Sequence, residues 1–216
     1  GRGRRELDDT MTECRLYEPM RRHTTLKVGG PAQYWVEPIT VESFSKALGF
    51  FDRLNIPVRV IGRGSNLLIC DGGIQGAVIH PSGGEFSEVS VSGNYITAGV
   101  GARFKKLNNI AKMHEISGFE WMEGIPGNVG GGLRMNAGAM GTETFDQVVS
   151  VKFLDSSGQI YEKSSHDVKS EYRSVPELNN NYAISAVFEG VSGNVRDIEK
   201  LTQESMSKRK QSQPIA

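Results

Sequence analysis

Residues 124–141 read GIPGNVGGGLRMNAGAMG and hold seven glycines in 18 positions. Glycine loses more conformational entropy on folding than any other residue, so a stable domain tolerates such density only where backbone approaches something closely. Two interpretations follow: the chain packs on itself through small residues, or its backbone lies against a ligand. Packing alone does not call for Pro126 and Asn136 beside the glycines, which favours ligand contact.

A second glycine cluster reads GRGSNL at residues 62–67 and directly follows the apolar run VRVI at 58–61. Glycines there permit positive φ, and successive N–H groups in such a turn form an anion-binding nest. The cluster lacks the third glycine of the dinucleotide-binding fingerprint, and the chain has no Walker-type phosphate loop. For this cluster alone, an ordinary strand-to-loop turn is as good an interpretation as ligand binding.

Composition narrows the class of protein. The 25 Lys and Arg balance 25 Asp and Glu, so the chain lacks the basic surplus that nucleic-acid binding needs. No apolar run approaches the roughly 20 residues of a membrane span, and we expect no membrane association. Two cysteines, Cys14 and Cys70, cannot form a disulfide framework and indicate a cytoplasmic protein. The four histidines share no metal-ligand spacing, so we expect no metal site.

The order of predicted elements indicates an α+β protein with two subdomains. A strand at 32–38, a helix from Val41 with Thr40 as its N-cap, and a strand at 58–61 predict a small α/β subdomain over 21–80. Short strands at 89–91, 95–98, 148–154, 160–161 and 182–188, with one helix at about 103–115, predict a larger antiparallel α+β subdomain over 81–192. Residues 1–20 are expected to form a flexible arm, and 193–216 a C-terminal helix.

Four motifs in order resemble those of the UDP-N-acetylenolpyruvoylglucosamine reductases (UDP-N-acetylmuramate dehydrogenases) of peptidoglycan synthesis. They are HTTLKVGGPA at 23–32, GRGSNLL at 62–68 followed by DGG at 71–73, GIPG at 124–127 with MNAGA at 135–139, and EYRS at 171–174. The resemblance implies the FAD-binding fold of the vanillyl-alcohol-oxidase (PCMH) type, in which two α+β subdomains hold non-covalent FAD. Met140 departs from the family pattern, which has an aromatic residue there.

The resemblance also implies which residues bind the cofactor. The first glycine cluster would supply the contacts to the flavin pyrophosphate, and the second would supply further contacts to the flavin. The implied cofactor-binding residues are Gly62, Arg63, Gly64, Ser65, Asn66, Leu67, Ile125, Pro126, Gly127, Val129, Gly130, Gly131, Asn136, Ala137 and Gly138.

By the same resemblance, NADPH is the co-substrate and a UDP-sugar bearing an enolpyruvyl group is the substrate, reduced to UDP-N-acetylmuramate. Hydride addition to its double bond builds an enolate, which needs a cation at the carboxylate and an acid at the adjacent carbon. Arg173 is implied as the catalytic cation, and Tyr172 as a substrate-binding residue. The family's proton-donating serine and its partner glutamate lie in a third domain, and we find no match for them in this chain.

Two functions therefore stay open from the sequence. The chain is either the FAD-binding portion of such a reductase, with its last helix leading toward a third domain, or a non-catalytic flavin- or nucleotide-binding module of the same fold. In both cases we expect a monomer.

Overall fold

The structure is a computed structural model that describes residues 12–16, 34–61, 76–172 and 181–212. The chain divides into two compact units. The first comprises Gly1–Phe86, Leu154–Tyr161 and Asn179–Tyr182, and the second comprises Ser87–Phe153, Glu162–Leu178 and Ala183–Ala216. A later segment of the chain therefore returns to the first unit, which reading the sequence in order did not predict.

The first unit is built on a four-stranded sheet. Its elements are β1 (Thr12–Leu16), β2 (Tyr34–Pro38), α1 (Val41–Arg53), β3 (Val58–Val60) and β4 (Ala77–Ile79), with strand order β1-β2-β4-β3. Strands β2 and β3 run parallel to β4, and β1 runs antiparallel to β2. For Thr12–Leu16 the flexible arm predicted over residues 1–20 is wrong, because this segment forms a strand paired with β2. Pairing with a distant strand leaves no periodic signal in so short a segment.

Helix α1 begins as its sequence predicts. The Ser43 amide donates to Thr40 Oγ1 at 3.0 Å, which confirms Thr40 as the N-cap. The helix buries Phe44, Leu48 and Phe51 at a spacing that keeps them on one face. Each such side chain contributes roughly 1.5–3 kcal/mol when removed from water, so this face anchors α1 to the core of its unit.

The second unit holds most residues of a five-stranded sheet, together with helices. Its elements are β5 (Val89–Ser92), β6 (Tyr95–Gly99), α2 (Phe104–Met113), β7 (Ile116–Ser117), a 3₁₀ helix (Glu120–Gly124), α3 (Val129–Met135), β8 (Gly138–Ala139), β9 (Thr142–Glu143), α4 (Thr144–Gln147), β10 (Val148–Leu154), β11 (Ile160–Ser164), α5 (Ser165–Tyr172), β12 (Tyr182–Glu189), β13 (Val191–Ser192) and α6 (Val195–Ser212). The sheet order is β11-β10-β12-β6-β5, and β6 runs antiparallel to both its neighbours.

The predicted helices α2 and α6 are confirmed, as are the strands of the larger sheet, with ends shifted by at most a few residues. Helices α3, α4 and α5 were not predicted. Three of the seven residues of α3 are glycines, which disfavour helix, so contacts with the rest of the unit must hold it. Within the described ranges, no helix is both long and apolar enough to cross a membrane.

Candidate functional site

The loop at 125–128 joins the 3₁₀ helix to α3 and is fixed to a second loop that precedes α2. The Phe104 amide donates to the Gly127 carbonyl at 3.1 Å, and the Val129 amide donates to the Ala102 carbonyl at 2.9 Å. These two bonds make Arg103 and Asn128 a pair of facing residues in an antiparallel bridge. The glycine-rich loop is therefore held in place on both sides of Asn128.

Asn128 caps α3 and accepts hydrogen bonds from two amides of its first turn. Its side-chain Oδ1 accepts from the Gly131 amide and its carbonyl accepts from the Gly132 amide, each at 3.0 Å. The Gly130 amide donates to the Val100 carbonyl at 2.9 Å. All four amides from Val129 to Gly132 are thus bonded within the protein. These four amides are therefore not available to donate to a ligand.

The amides of Gly127 and Asn128 are different. Neither donates to any group in the part of the chain that the structure describes. Gly127 is exposed, its φ is +134°, and no heavy atom of a described residue lies within 4 Å of the place where a Cβ would stand. A side chain there would be strained, and the space beside the backbone is open. These two amides are available to a ligand that lies over the loop.

Other glycines of the stretch are needed by the protein's own packing. A Cβ on Gly132 would overlap the ring of Phe104, and one on Gly138 would lie 2.5 Å from the Thr142 carbonyl oxygen. A Cβ on Gly124 would lie 2.7 Å from Ser205 Oγ of helix α6. Internal packing therefore explains these three glycines without a ligand, whereas among the described residues Gly131 meets only the capping Asn128, at an ordinary 3.5 Å.

Helix α3 ends at Asn136, which adopts the left-handed conformation with φ 48° and ψ 48°. The chain then forms the short hairpin of β8 and β9, whose two turn residues, Met140 and Gly141, have φ values of 54° and 80°. Positive φ at both positions is the geometry of a type I′ turn. Met140 therefore lies at the tip of this hairpin, at the position where the family pattern has an aromatic residue.

Two buried carboxylates support the 3₁₀ helix before the loop, and the sequence analysis did not single them out. Glu120 accepts from Ser117 Oγ at 2.6 Å and from the Gly118 amide at 2.9 Å. Glu123 lies 3.3 Å from Asn108 Nδ2 and 3.7 Å from Lys105 Nζ. Both carboxylates have partners and belong to the scaffold beneath the loop. Only the spacing of Ser117 and Glu120, three residues apart, hinted at this role.

The predicted site residues fall into three groups. The first glycine cluster, 62–67, and Arg173 lie outside the described residues, and Tyr172 is described only as the last residue of α5. Pro126, Gly127, Gly131 and Gly138 are exposed, and Ile125, Gly130, Asn136 and Ala137 are half-buried. Val129 is fully buried with its amide bonded, so the geometry does not bring it to the surface.

Comparison with known proteins shows what kind of chain this is. Residues 32–164 match the model of the FAD binding domain family. The chain is 38% identical over 204 residues to the UDP-N-acetylenolpyruvoylglucosamine reductase of Clostridioides difficile, with 94% of this chain and 67% of the relative covered. The corresponding reductase of Caldanaerobacter subterraneus is 36% identical over 213 residues, covering 97% and 70%. The chain belongs to the UDP-N-acetylenolpyruvoylglucosamine reductase family.

Solved structures agree with this family membership. The crystal structure of the UDP-N-acetylenolpyruvylglucosamine reductase from Thermus caldophilus has a TM-score of 0.70 and 29% identity, covering 94% of this chain and 71% of that one. The glucose dehydrogenase Phl p 4.0202 has a TM-score of 0.64 at 14% identity, covering 89% and 44%, and shows a likeness of fold alone. The resemblance seen in the four motifs and the predicted α+β FAD-binding fold are confirmed.

FAD is therefore the cofactor of this reductase family member, and the geometry of the second unit fits it. A flavin needs backbone that a flat ring system can approach, together with a few donors for its polar edge. The exposed loop at Pro126 and Gly127 provides open backbone, and the amides of Gly127 and Asn128 provide donors. Among the described residues, no group of three or more His, Cys, Asp and Glu is placed to hold a metal ion.

Proposed function

We propose that this chain takes part in the NADPH-dependent, FAD-mediated reduction of UDP-N-acetylglucosamine enolpyruvate to UDP-N-acetylmuramate in peptidoglycan synthesis. The observation that carries the proposal is its 38% identity to a reductase of that name over 94% of the chain. The match runs over both glycine clusters rather than over one isolated motif. The UDP-sugar is accordingly its small-molecule substrate.

FAD, when bound, would act as the hydride carrier between NADPH and the enolpyruvyl double bond. We propose that the loop from Ile125 to Asn128 holds one part of it. The amides of Gly127 and Asn128, which donate to no described residue, would donate to the polar edge of the flavin, and the open side of Gly127 would let the rings approach. Because Phe104 and Val129 tie the loop to its neighbours, these donors are fixed before the cofactor arrives.

Other predicted contacts would use atoms other than the amides already bonded. Gly131 and Gly138 are exposed and could lie against the cofactor through their Cα atoms, and Gly130 and Ala137 are half-buried beside them. The cluster at 62–67 remains the proposed site of the flavin pyrophosphate, because glycine-rich turns present several N–H groups to an anion. Val129 is left out of the proposed contacts because it is buried.

Arg173 remains the proposed catalytic residue. Reduction of the enolpyruvyl double bond places negative charge on a carboxylate-bearing carbon, and a guanidinium with its planar set of donors suits the stabilisation of that charge. Tyr172, its neighbour, remains a proposed substrate-binding residue through its hydroxyl and ring. Both roles rest on the EYRS motif at 171–174.

The experiment is NADPH oxidation by the purified, FAD-loaded chain, followed with and without UDP-N-acetylglucosamine enolpyruvate. The proposal predicts oxidation that depends on the UDP-sugar, lost by at least about a hundredfold in Arg173→Ala while FAD stays bound. Arg173→Lys, which keeps the charge but not the fork of donors, should retain part of the activity. Because this chain has no match for the family's proton-donating serine and glutamate, its turnover should be slow, and bound FAD that NADPH does not reduce would instead identify a non-catalytic flavin-binding module.

We also propose that the chain works as a cytoplasmic monomer without nucleic acid or a membrane. The balanced charge supports the absence of nucleic acid, and two cysteines suit a reducing compartment. Size-exclusion chromatography with light scattering tests whether the chain is a monomer, and cell fractionation tests whether it is cytoplasmic and free of membranes. A dimer in solution, or recovery with membranes, would overturn them.

A further inference from the structure

Asn136 stands at the junction between α3 and the β8–β9 hairpin, and both ends of its side-chain amide are bonded within the protein. Its Nδ2 donates to Glu143 Oε2 at 2.7 Å, and its Oδ1 accepts from the Phe145 amide at 3.0 Å. Its backbone is left-handed, a conformation that asparagine tolerates better than most residues. The side chain therefore joins the end of one helix to the start of the next.

The bonds of Asn136 close the base of the hairpin. Beside it, the Ala137 carbonyl accepts from both the Thr144 amide, at 2.8 Å, and Thr144 Oγ1, at 2.7 Å. Gly138 then faces Glu143 across the hairpin, one pair away from the turn at Met140. Four hydrogen bonds thus fix the two ends of this short hairpin to each other. Two residues alone would not hold a strand pair in water, so these bonds decide where its tip lies.

We propose that Asn136 is a positioning residue of the flavin site and that Glu143 is its partner. Together they hold the hairpin so that Gly138 and the tip at Met140 present a fixed surface to the cofactor. The proposal rests on the proposed function, since it assigns a role toward FAD. It differs from the sequence prediction, in which Asn136 itself contacts the cofactor.

The chemistry of the pair gives the proposal a distinctive test. The bond from Asn136 Nδ2 to the Glu143 carboxylate is charge-assisted and short, and such bonds are about twice as strong as neutral ones. Asn136→Asp keeps the acceptor for the Phe145 amide but places two carboxylates together. Adding Glu143→Gln restores a charge-assisted bond with the donor on the opposite side. A positioning role survives this exchange, whereas a specific contact from Asn136 Nδ2 to FAD does not.

The measurement is the FAD dissociation constant of four proteins: the original chain, Asn136→Asp, Glu143→Gln and the double variant. It is obtained from quenching of flavin fluorescence, and the thermal midpoint of each protein is recorded as well. Asn136→Asp should weaken FAD binding by about tenfold or more, since it leaves a repulsive pair. Glu143→Gln should weaken it less, since an amide oxygen still accepts. The double variant should return to within about threefold of the original protein. A double variant as weak as Asn136→Asp would overturn the proposal.

Asn194 offers a matched control in the same unit. Its Nδ2 donates to Asp197 Oδ2 at 2.7 Å, and its Oδ1 accepts from the Asp197 amide at 2.9 Å, the same pair of bonds in front of α6. Asn194→Asp creates the same like-charge contact without touching the hairpin, so its FAD affinity should stay within about twofold of the original. An equal loss in this control would assign the effect to general stability and overturn the positioning role.

The outcomes also separate this inference from the proposed function. If the unaltered chain shows no saturable FAD binding, the proposed function and the positioning role both fail. If it binds FAD and oxidises NADPH but the double variant is not rescued, the proposed function stands and only the role of Asn136 and Glu143 is overturned. Rescue of FAD affinity together with substrate-dependent oxidation supports both.

Discussion

The stretch at 124–141 contains two kinds of glycine that look the same in the sequence. Gly132 and Gly138 lie so close to Phe104 and Thr142 that a side chain would not fit, and their neighbours belong to the same unit. Gly127 and Gly141 have no heavy atom within 4 Å of the Cβ position among the residues that the structure describes. Glycine density therefore does not by itself indicate a ligand. What distinguishes the two kinds is whether the protein itself fills the space beside the backbone.

The backbone amides of this stretch divide into the same two groups as the glycines. Val129, Gly130 and Gly132 donate to carbonyls of the protein, whereas Gly127 and Asn128 donate to no described group. The part of the stretch that forms α3 is thus a packed element of the scaffold, and the loop before it is the part that can receive a cofactor.

The largest effect on stability is expected for Gly132→Ala. Its Cβ would overlap the ring of Phe104, which is itself buried against Trp121. Overpacking of this kind costs about 1–3 kcal/mol in the free energy of unfolding, to be measured by urea denaturation. Combining it with Phe104→Leu should recover part of the loss. A Gly132→Ala protein as stable as the original would contradict the packing explanation.

Gly127→Ala should lose less stability but more FAD affinity. Its backbone, with φ of +134°, is unfavourable for alanine by roughly 1–2 kcal/mol, and the new methyl group would occupy the open space over the loop. The matched control is Gly93→Ala, which also has positive φ, +59°, and open space but lies in the β5–β6 turn. FAD titration should separate the two variants, and equal affinities would place the cofactor elsewhere.

The smallest effect on stability is expected for Gly131→Ala, and the sign of the change in the free energy of unfolding is what distinguishes the interpretations. Gly131 lies inside α3, and no described residue besides the cap is close to it, so alanine should raise the free energy of unfolding by up to about 1 kcal/mol. If Gly131 contacts FAD, the same change should weaken FAD binding. Urea denaturation and FAD titration of one variant then move in opposite directions, and a loss of stability would place Gly131 among the packed glycines.

Local patterns explain how much of the fold was predictable. The Thr40 cap, the apolar face of α1 and the periodicity of α2 are carried by neighbouring residues, so the sequence predicts them. Strand β1 and helix α3 depend on distant partners, namely β2 for the first and Val100 and Ala102 for the second. The same is true of Leu154–Tyr161, whose place in the first unit depends on contacts made far along the chain.

The candidate site, too, was predictable only in the features that neighbouring residues determine. The stretch at 124–141 was predictable because the density of glycines can be counted in the sequence itself. The sequence alone does not distinguish Gly132 from Gly127. The difference depends on Phe104, some thirty residues away, which fills the space beside Gly132 and not the space beside Gly127. Nor does the sequence reveal that Asn136 is bonded to Glu143, since the left-handed backbone that brings them together is a feature of the folded chain.

Amide hydrogen exchange, resolved by residue and measured with and without saturating FAD, tests the central claim most directly. We predict that Val129, Gly130 and Gly132 are protected in both samples, whereas Gly127 and Asn128 exchange rapidly alone and become protected when FAD is bound. Unchanged rapid exchange at Gly127 and Asn128 in the FAD-saturated protein would contradict the claim that this open loop receives the cofactor.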